Sequence, residues 1–145
     1  MKIIAHAANS PQLITSALKS KIDFLEIDVS QRIIFSKFTT QHHGVLGKFG
    51  IGRNLEQFLN SKFKNKLFLD LKHAKISHNF TQKLSKLLAD AKVKNTRICG
   101  FDWKIISVLS KRNKLLPYYS IYMEKDIEKI KKLLSYIEKP AGLPA

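Results

Sequence analysis

The sequence predicts an α/β fold built on a parallel sheet, from three observations. Apolar runs of strand length alternate with amphipathic segments of helix length, through about five such units. The strand runs are rich in Ile, Leu, Val and Phe, as expected where helices cover both faces of a sheet. Two of them, "FLEIDV" and "LFLDLK", carry charge only at alternate positions, so one face of each is apolar and the other is not.

Taken in order, "KIIAHA" (2–7) reads as a strand and "PQLITSALKS" (11–20) as a helix, with Ser10 as N-cap and Pro11 in the first position. "DFLEIDV" (23–29) is the second strand, and "RIIFSKF" (32–38) an extra strand or an extension of it. The following loop, "TTQHHGVLGKFGIG" (39–52), holds four of the six glycines. A helix over 54–63, a strand over 65–73 and a helix over 79–92 come next, then a strand over 96–101 and a helix over 103–113. A strand over 115–122 and a helix over 124–139 complete the alternation. No repeat or low-complexity linker divides the chain, and 145 residues suit a single domain, 1–145.

A hydrophobic content of 44% with 26% charged residues fits a soluble globular domain and excludes a disordered or fibrous one. One cysteine, Cys99, excludes an internal disulfide framework and agrees with a reducing compartment. "MKIIAHAANS" is interrupted by His6 and Asn9 before reaching the length of a signal-peptide core, and no segment has the roughly 18 uninterrupted apolar residues of a membrane span. A cytoplasmic location is therefore expected. The net charge of +15 would draw the chain to anionic partners, but the lysines are spread over helix faces and no nucleic-acid recognition motif is present.

Glu26 and Asp28 share one face of the second strand with Phe24, and Asp70 and Lys72 share one face of the third with Phe68. A solvent face would explain this in an antiparallel sheet. In a parallel sheet, a buried charge needs an opposite charge or a metal. A closed barrel resolves the conflict, because alternate side chains point inward and those at the carboxyl ends of the strands reach the mouth. Glu26, Asp28 and Asp70 would then converge there, either as hard oxygen ligands for magnesium or calcium or in a structural ion pair with Lys72. Lys72 could also meet a phosphate oxygen. His6 ends the first strand, and His42 and His43 lie in the glycine-rich loop, where imidazoles suit acid–base work. His73 and His78 read as structural or exposed. Neither a zinc signature nor a P-loop, dinucleotide fingerprint or nucleophile elbow is present, so no organic cofactor is expected.

These residues resemble the glycerophosphodiester phosphodiesterases. "IIAHAAN" is similar to the family's first strand, which ends in a catalytic histidine, and "FLEIDVS" to its E-x-D metal-binding strand. "LFLDLKH" looks like its E-x-K strand, and "RICGFDWKIISVLSKRNKLLPYYSI" like the next two units. The resemblance implies a TIM-type barrel and hydrolysis of a small-molecule phosphodiester derived from deacylated phospholipid. It also implies His6 and His42 (less well His43) as general acid and base, and a metal on Glu26, Asp28 and Asp70. The chain departs from the pattern at Ala7, where the family has a phosphate-binding arginine. It departs again at Pro11-Gln12-Leu13-Ile14, in place of Pro-Glu-Asn-Thr, and at Asp70, in place of Glu. A whole (β/α)8 barrel takes roughly 200–250 residues, so a partial barrel is expected, whose open edges invite self-association or a second chain. The competing expectations are an inactive truncated remnant of such an enzyme and a basic nucleic-acid-binding module.

Overall fold

Which face of each strand is apolar decides how the sheet is covered. The computed structural model describes residues 2–31, 38–40, 53–72 and 77–119. Their elements are β1 (Ile4–Ala5), α1 (Pro11–Lys19), β2 (Phe24–Gln31), β3 (Phe38–Thr40), β4 (Arg53–Asn54) and α2 (Leu55–Leu59). A 3-10 turn (Lys64–Lys66) then leads to β5 (Leu67–Leu71), α3 (His78–Asp90), β6 (Arg97–Gly100), α4 (Trp103–Asn113) and β7 (Leu116–Pro117). These strands form one sheet in the order β4-β3-β2-β5-β6-β7, with β1 also on β2.

β1, β2, β5, β6 and β7 run parallel, with Asp28 opposite Asp70 and Asp70 opposite Cys99 in register. That register puts Leu25, Ile27, Val29, Leu67, Leu69, Leu71 and Ile98 on the other face, all completely buried in the core. Each contributes about 1.5–3 kcal/mol relative to an exposed position. Covering them are helices whose ends are defined by caps: Ser10 Oγ accepts from Leu13 N–H, Ser77 Oγ from Phe80 N–H and Asp102 Oδ1 from Ile105 N–H. In α3, Phe80, Leu84 and Leu88 form a buried stripe at i, i+4, i+8, and in α4 Trp103, Ile106 and Leu109 form one at i, i+3, i+6.

Gly100 stands where β6 leaves the sheet. Its φ of +156° and the 2.9 Å from an added Cβ to the Leu71 carbonyl oxygen leave room for no side chain.

The fold is a partial TIM-type barrel: a mostly parallel sheet, open among the described residues. Expectation and structure differ in three places. β3 and β4 are antiparallel to their neighbours, although a wholly parallel sheet was expected. Thr39 and Thr40, read as loop because they are polar, pair with Ser30 and Val29 on one side and with Asn54 and Arg53 on the other, a backbone ladder that requires no apolar run. The helix over 54–63 is shorter, Leu55–Leu59, because the chain turns after it into the 3-10 segment. Residues 32–37 of the extra strand, the His42–His43 loop, His73 and the helix over 124–139 lie outside the described residues.

Candidate active site

The parallel register aligns the carboxyl ends of β1, β2 and β5, and the charged side chains collect there. Ligand oxygens of Glu26, Asp28 and Asp70 lie within 4.8 Å of one another, the spacing of a group that could hold a metal ion. The Asp28 side chain is fully buried, and those of Glu26 and Lys72 are each 12% exposed. Three carboxylates so close repel one another unless a cation lies among them.

Lys72 supplies one positive charge. Its Nζ lies 2.8 Å from Asp28 Oδ1 and donates a short hydrogen bond to Asp70 Oδ2. Burial alone would lower the pKa of this ammonium, but its close contacts with the Asp28 and Asp70 carboxylates outweigh burial and hold it above the ordinary lysine value. Asp28 Oδ1 is buried and accepts no hydrogen bond of good geometry among the described residues; its contact with Lys72 is electrostatic.

His6 follows β1 directly, beside Glu26, because β1 pairs with β2 through Ile4 with Phe24 and Ala5 with Leu25. Its Nδ1 is 2.7 Å from Glu26 Oε1, while 69% of the side chain is exposed at the mouth. Ala7 then adopts a left-handed conformation, φ +50°, which turns the chain so that Ala8 N–H donates to the Glu26 carbonyl at 2.7 Å. The same turn delivers Asn9, whose Nδ2 donates to Asp28 Oδ2 at 2.6 Å and whose Oδ1 accepts from Asp28 N–H at 3.0 Å. Sequence reasoning missed Asn9, since it precedes a capping serine and reads as part of a helix start; its contact is tertiary.

Cys99 was read only as a sign of compartment, yet it lines the same face. Its thiol is buried, and burial first, then the Asp70 charge, push its pKa up, so it stays protonated beside the carboxylates. His78, read as structural or exposed, is exposed at the start of α3, its Nε2 2.8 Å from Gln82 Nε2.

The donor set is all oxygen. One buried carboxylate oxygen lacks a hydrogen bond, and the one ammonium pairs with two of the three acids. Those features fit a hard divalent cation.

The acidic cluster lies at the carboxyl ends of parallel strands in a partial barrel, and the class the fold defines is the TIM-type barrel. Within that class, the fold is that of solved glycerophosphodiester phosphodiesterases. A candidate glycerophosphoryl diester phosphodiesterase of Silicibacter pomeroyi DSS-3 superposes with a TM-score of 0.71 at 13% identity, covering 93% of this chain and 72% of that one. The glycerophosphodiester phosphodiesterase of Agrobacterium tumefaciens C58 gives 0.59 at 15% identity, covering 89% and 68%. No protein-family model matches the chain, and no curated protein matches it. Among the described residues, no helix is long and apolar enough to cross a membrane.

Proposed function

We propose that the chain is a metal-dependent phosphodiesterase acting on small glycerophosphodiesters of deacylated phospholipid, as a single cytoplasmic domain in lipid metabolism. The observation that carries this reading is the trio Glu26, Asp28 and Asp70, with its ligand oxygens within 4.8 Å, beside a histidine on a phosphodiesterase-like barrel.

Glu26, Asp28 and Asp70 would hold magnesium or calcium. When bound, such an ion polarises a phosphoryl oxygen and acidifies a hydroxyl in contact with it. Glu26 has a second task. By accepting from His6 Nδ1–H it fixes the tautomer, so Nε2 is the nitrogen that takes and returns a proton at the mouth. Glu26 also stabilises the imidazolium formed after proton uptake. Lys72 would turn from its carboxylates toward the substrate phosphate as a point charge. His42, in the role the resemblance gives it, would be the second acid–base group. The open sheet edge at β1, with Ile3 47% and Ile4 40% exposed, suits a second copy or a second chain that completes the barrel.

One observation favours a second reading, in which the site persists without catalysis. Ala7 stands where the resemblance calls for a phosphate-binding arginine, and alanine cannot make a bidentate contact.

The test is release of glycerol phosphate from glycerophosphocholine and glycerophosphoethanolamine with magnesium or calcium, against a chelator control. The proposal expects turnover that falls at least about 100-fold in His6→Ala and is abolished in Asp70→Asn. A chain that binds the cation yet hydrolyses neither diester contradicts it. Gain of turnover on Ala7→Arg would support the second reading.

A further inference from the structure

Asn9 ends the stretch "IIAHAAN" with no role assigned to it from the sequence, yet it is joined twice to one member of the acidic trio. Its Nδ2 donates to Asp28 Oδ2 at 2.6 Å, and its Oδ1 accepts from the Asp28 backbone N–H at 3.0 Å. The two bonds fix both the rotation of the carboxylate and its distance from the β1–α1 turn. Asp28 Oδ2 is thereby committed to a neutral amide. Oδ1, fully buried and accepting no hydrogen bond of good geometry among the described residues, is left to face positive charge, here the Lys72 ammonium at 2.8 Å.

We propose that Asn9 is a positioning residue that restricts Asp28 to one cation-binding oxygen, and so biases the trio toward a small octahedral divalent ion such as magnesium over a larger one such as calcium. The inference rests on the cation reading given above. Magnesium demands near-ideal octahedral geometry and keeps several waters, which suits carboxylates that each offer a single oxygen. Calcium accepts six to eight oxygens and takes carboxylates with one or both oxygens. An Asp28 released from Asn9 could turn both oxygens toward the ion, an arrangement that the larger ion exploits and the smaller one does not.

The clamp is anchored in the backbone. Ala7 at φ +50° and the Ala8 N–H to Glu26 carbonyl bond seat the turn on β2, so Asn9 reaches Asp28 from a backbone already anchored at the neighbouring ligand, Glu26. Partners that orient a ligating carboxylate are typically worth about 10–100-fold in metal affinity.

The experiment is calorimetric titration of magnesium chloride and, separately, calcium chloride into the full chain, Asn9→Ala and Asn9→Ser. Serine keeps a small polar group in the turn but is too short to bridge both Asp28 groups, so it serves if the alanine variant fails to fold. The parent chain is expected to bind magnesium at least as tightly as calcium. In either variant, magnesium affinity is expected to fall about 10–100-fold while calcium affinity falls by less. Equal losses for the two ions, unchanged affinities, or a parent chain that already prefers calcium overturn the inference while leaving the cation reading in place. A parent chain that binds neither ion overturns both.

Discussion

Replacing Lys72 with methionine separates the two roles that its ammonium could play. The variant keeps most of the side-chain volume and removes the charge that lies 2.8 Å from Asp28 and is hydrogen-bonded to Asp70. Asp28 and Asp70 are paired directly across neighbouring strands, and their side chains are 0% and 9% exposed, so water screens little of what remains. Breaking a buried ion pair by deleting one partner costs about 3–5 kcal/mol. With a urea slope of about 2 kcal/mol per molar, the unfolding midpoint should fall by roughly 2 M in the presence of a chelator. If the carboxylates form a cation site, the ammonium competes with the ion. Lys72→Met should then bind magnesium or calcium more tightly than the parent, and at about 100 times the dissociation constant regain roughly 2.7 kcal/mol. The assay is urea denaturation followed by circular dichroism, with and without each ion. A midpoint that falls and is not restored by either ion would make the cluster a structural ion pair. An unmoved midpoint would refute the energetic reasoning itself.

Other consequences are more local. Gly100→Ala forces a Cβ to within 2.9 Å of the Leu71 carbonyl at φ +156°, and should cost about 1–3 kcal/mol in a thermal melt. Leu69→Ala, in the centre of the sheet at complete burial, should cost about 2–5 kcal/mol by the same measurement. Asp23 accepts from Ile3 N–H, which, with Lys2, holds its pKa below the ordinary 3.8 despite some desolvation. Its stabilisation is therefore present above about that value and lost as pH falls through the lower folded one. Asp23→Ala should be less stable than the parent at neutral pH and approach it in an acid titration below pH 3.8. The Cys99 thiol, 4% exposed and with its pKa raised by burial, should react with a thiol reagent only on unfolding.

The architecture was legible where side-chain alternation and strand length agreed. Charge on one face of "FLEIDV" and "LFLDLK" was sufficient to place Glu26, Asp28 and Asp70 on a common side, because a period of two leaves no alternative within a strand. What brought them to one depth was the register, Asp28 opposite Asp70, which no single strand encodes. β3 was obscured because Thr39 and Thr40 join the sheet through backbone pairing with both neighbours and carry no apolar pattern. His6 was placed at a strand end, and the structure sets it just beyond, since Ala7 turns the chain through a left-handed conformation that alanine rarely adopts and that no propensity would suggest. Asn9 was invisible for a different reason. Both of its bonds cross nineteen positions of sequence, and a residue before a capping serine has an ordinary local explanation.

The most direct test of the central claim is a thermal melt of the purified chain with and without magnesium or calcium, beside Glu26→Gln. A divalent ion at about 100 times its dissociation constant adds roughly 2.7 kcal/mol to a folded chain that holds it. The account predicts a cooperative transition that moves up with metal in the parent chain and stays put in Glu26→Gln. A transition indifferent to both ions in the parent, or one that rises equally in the variant, would contradict it.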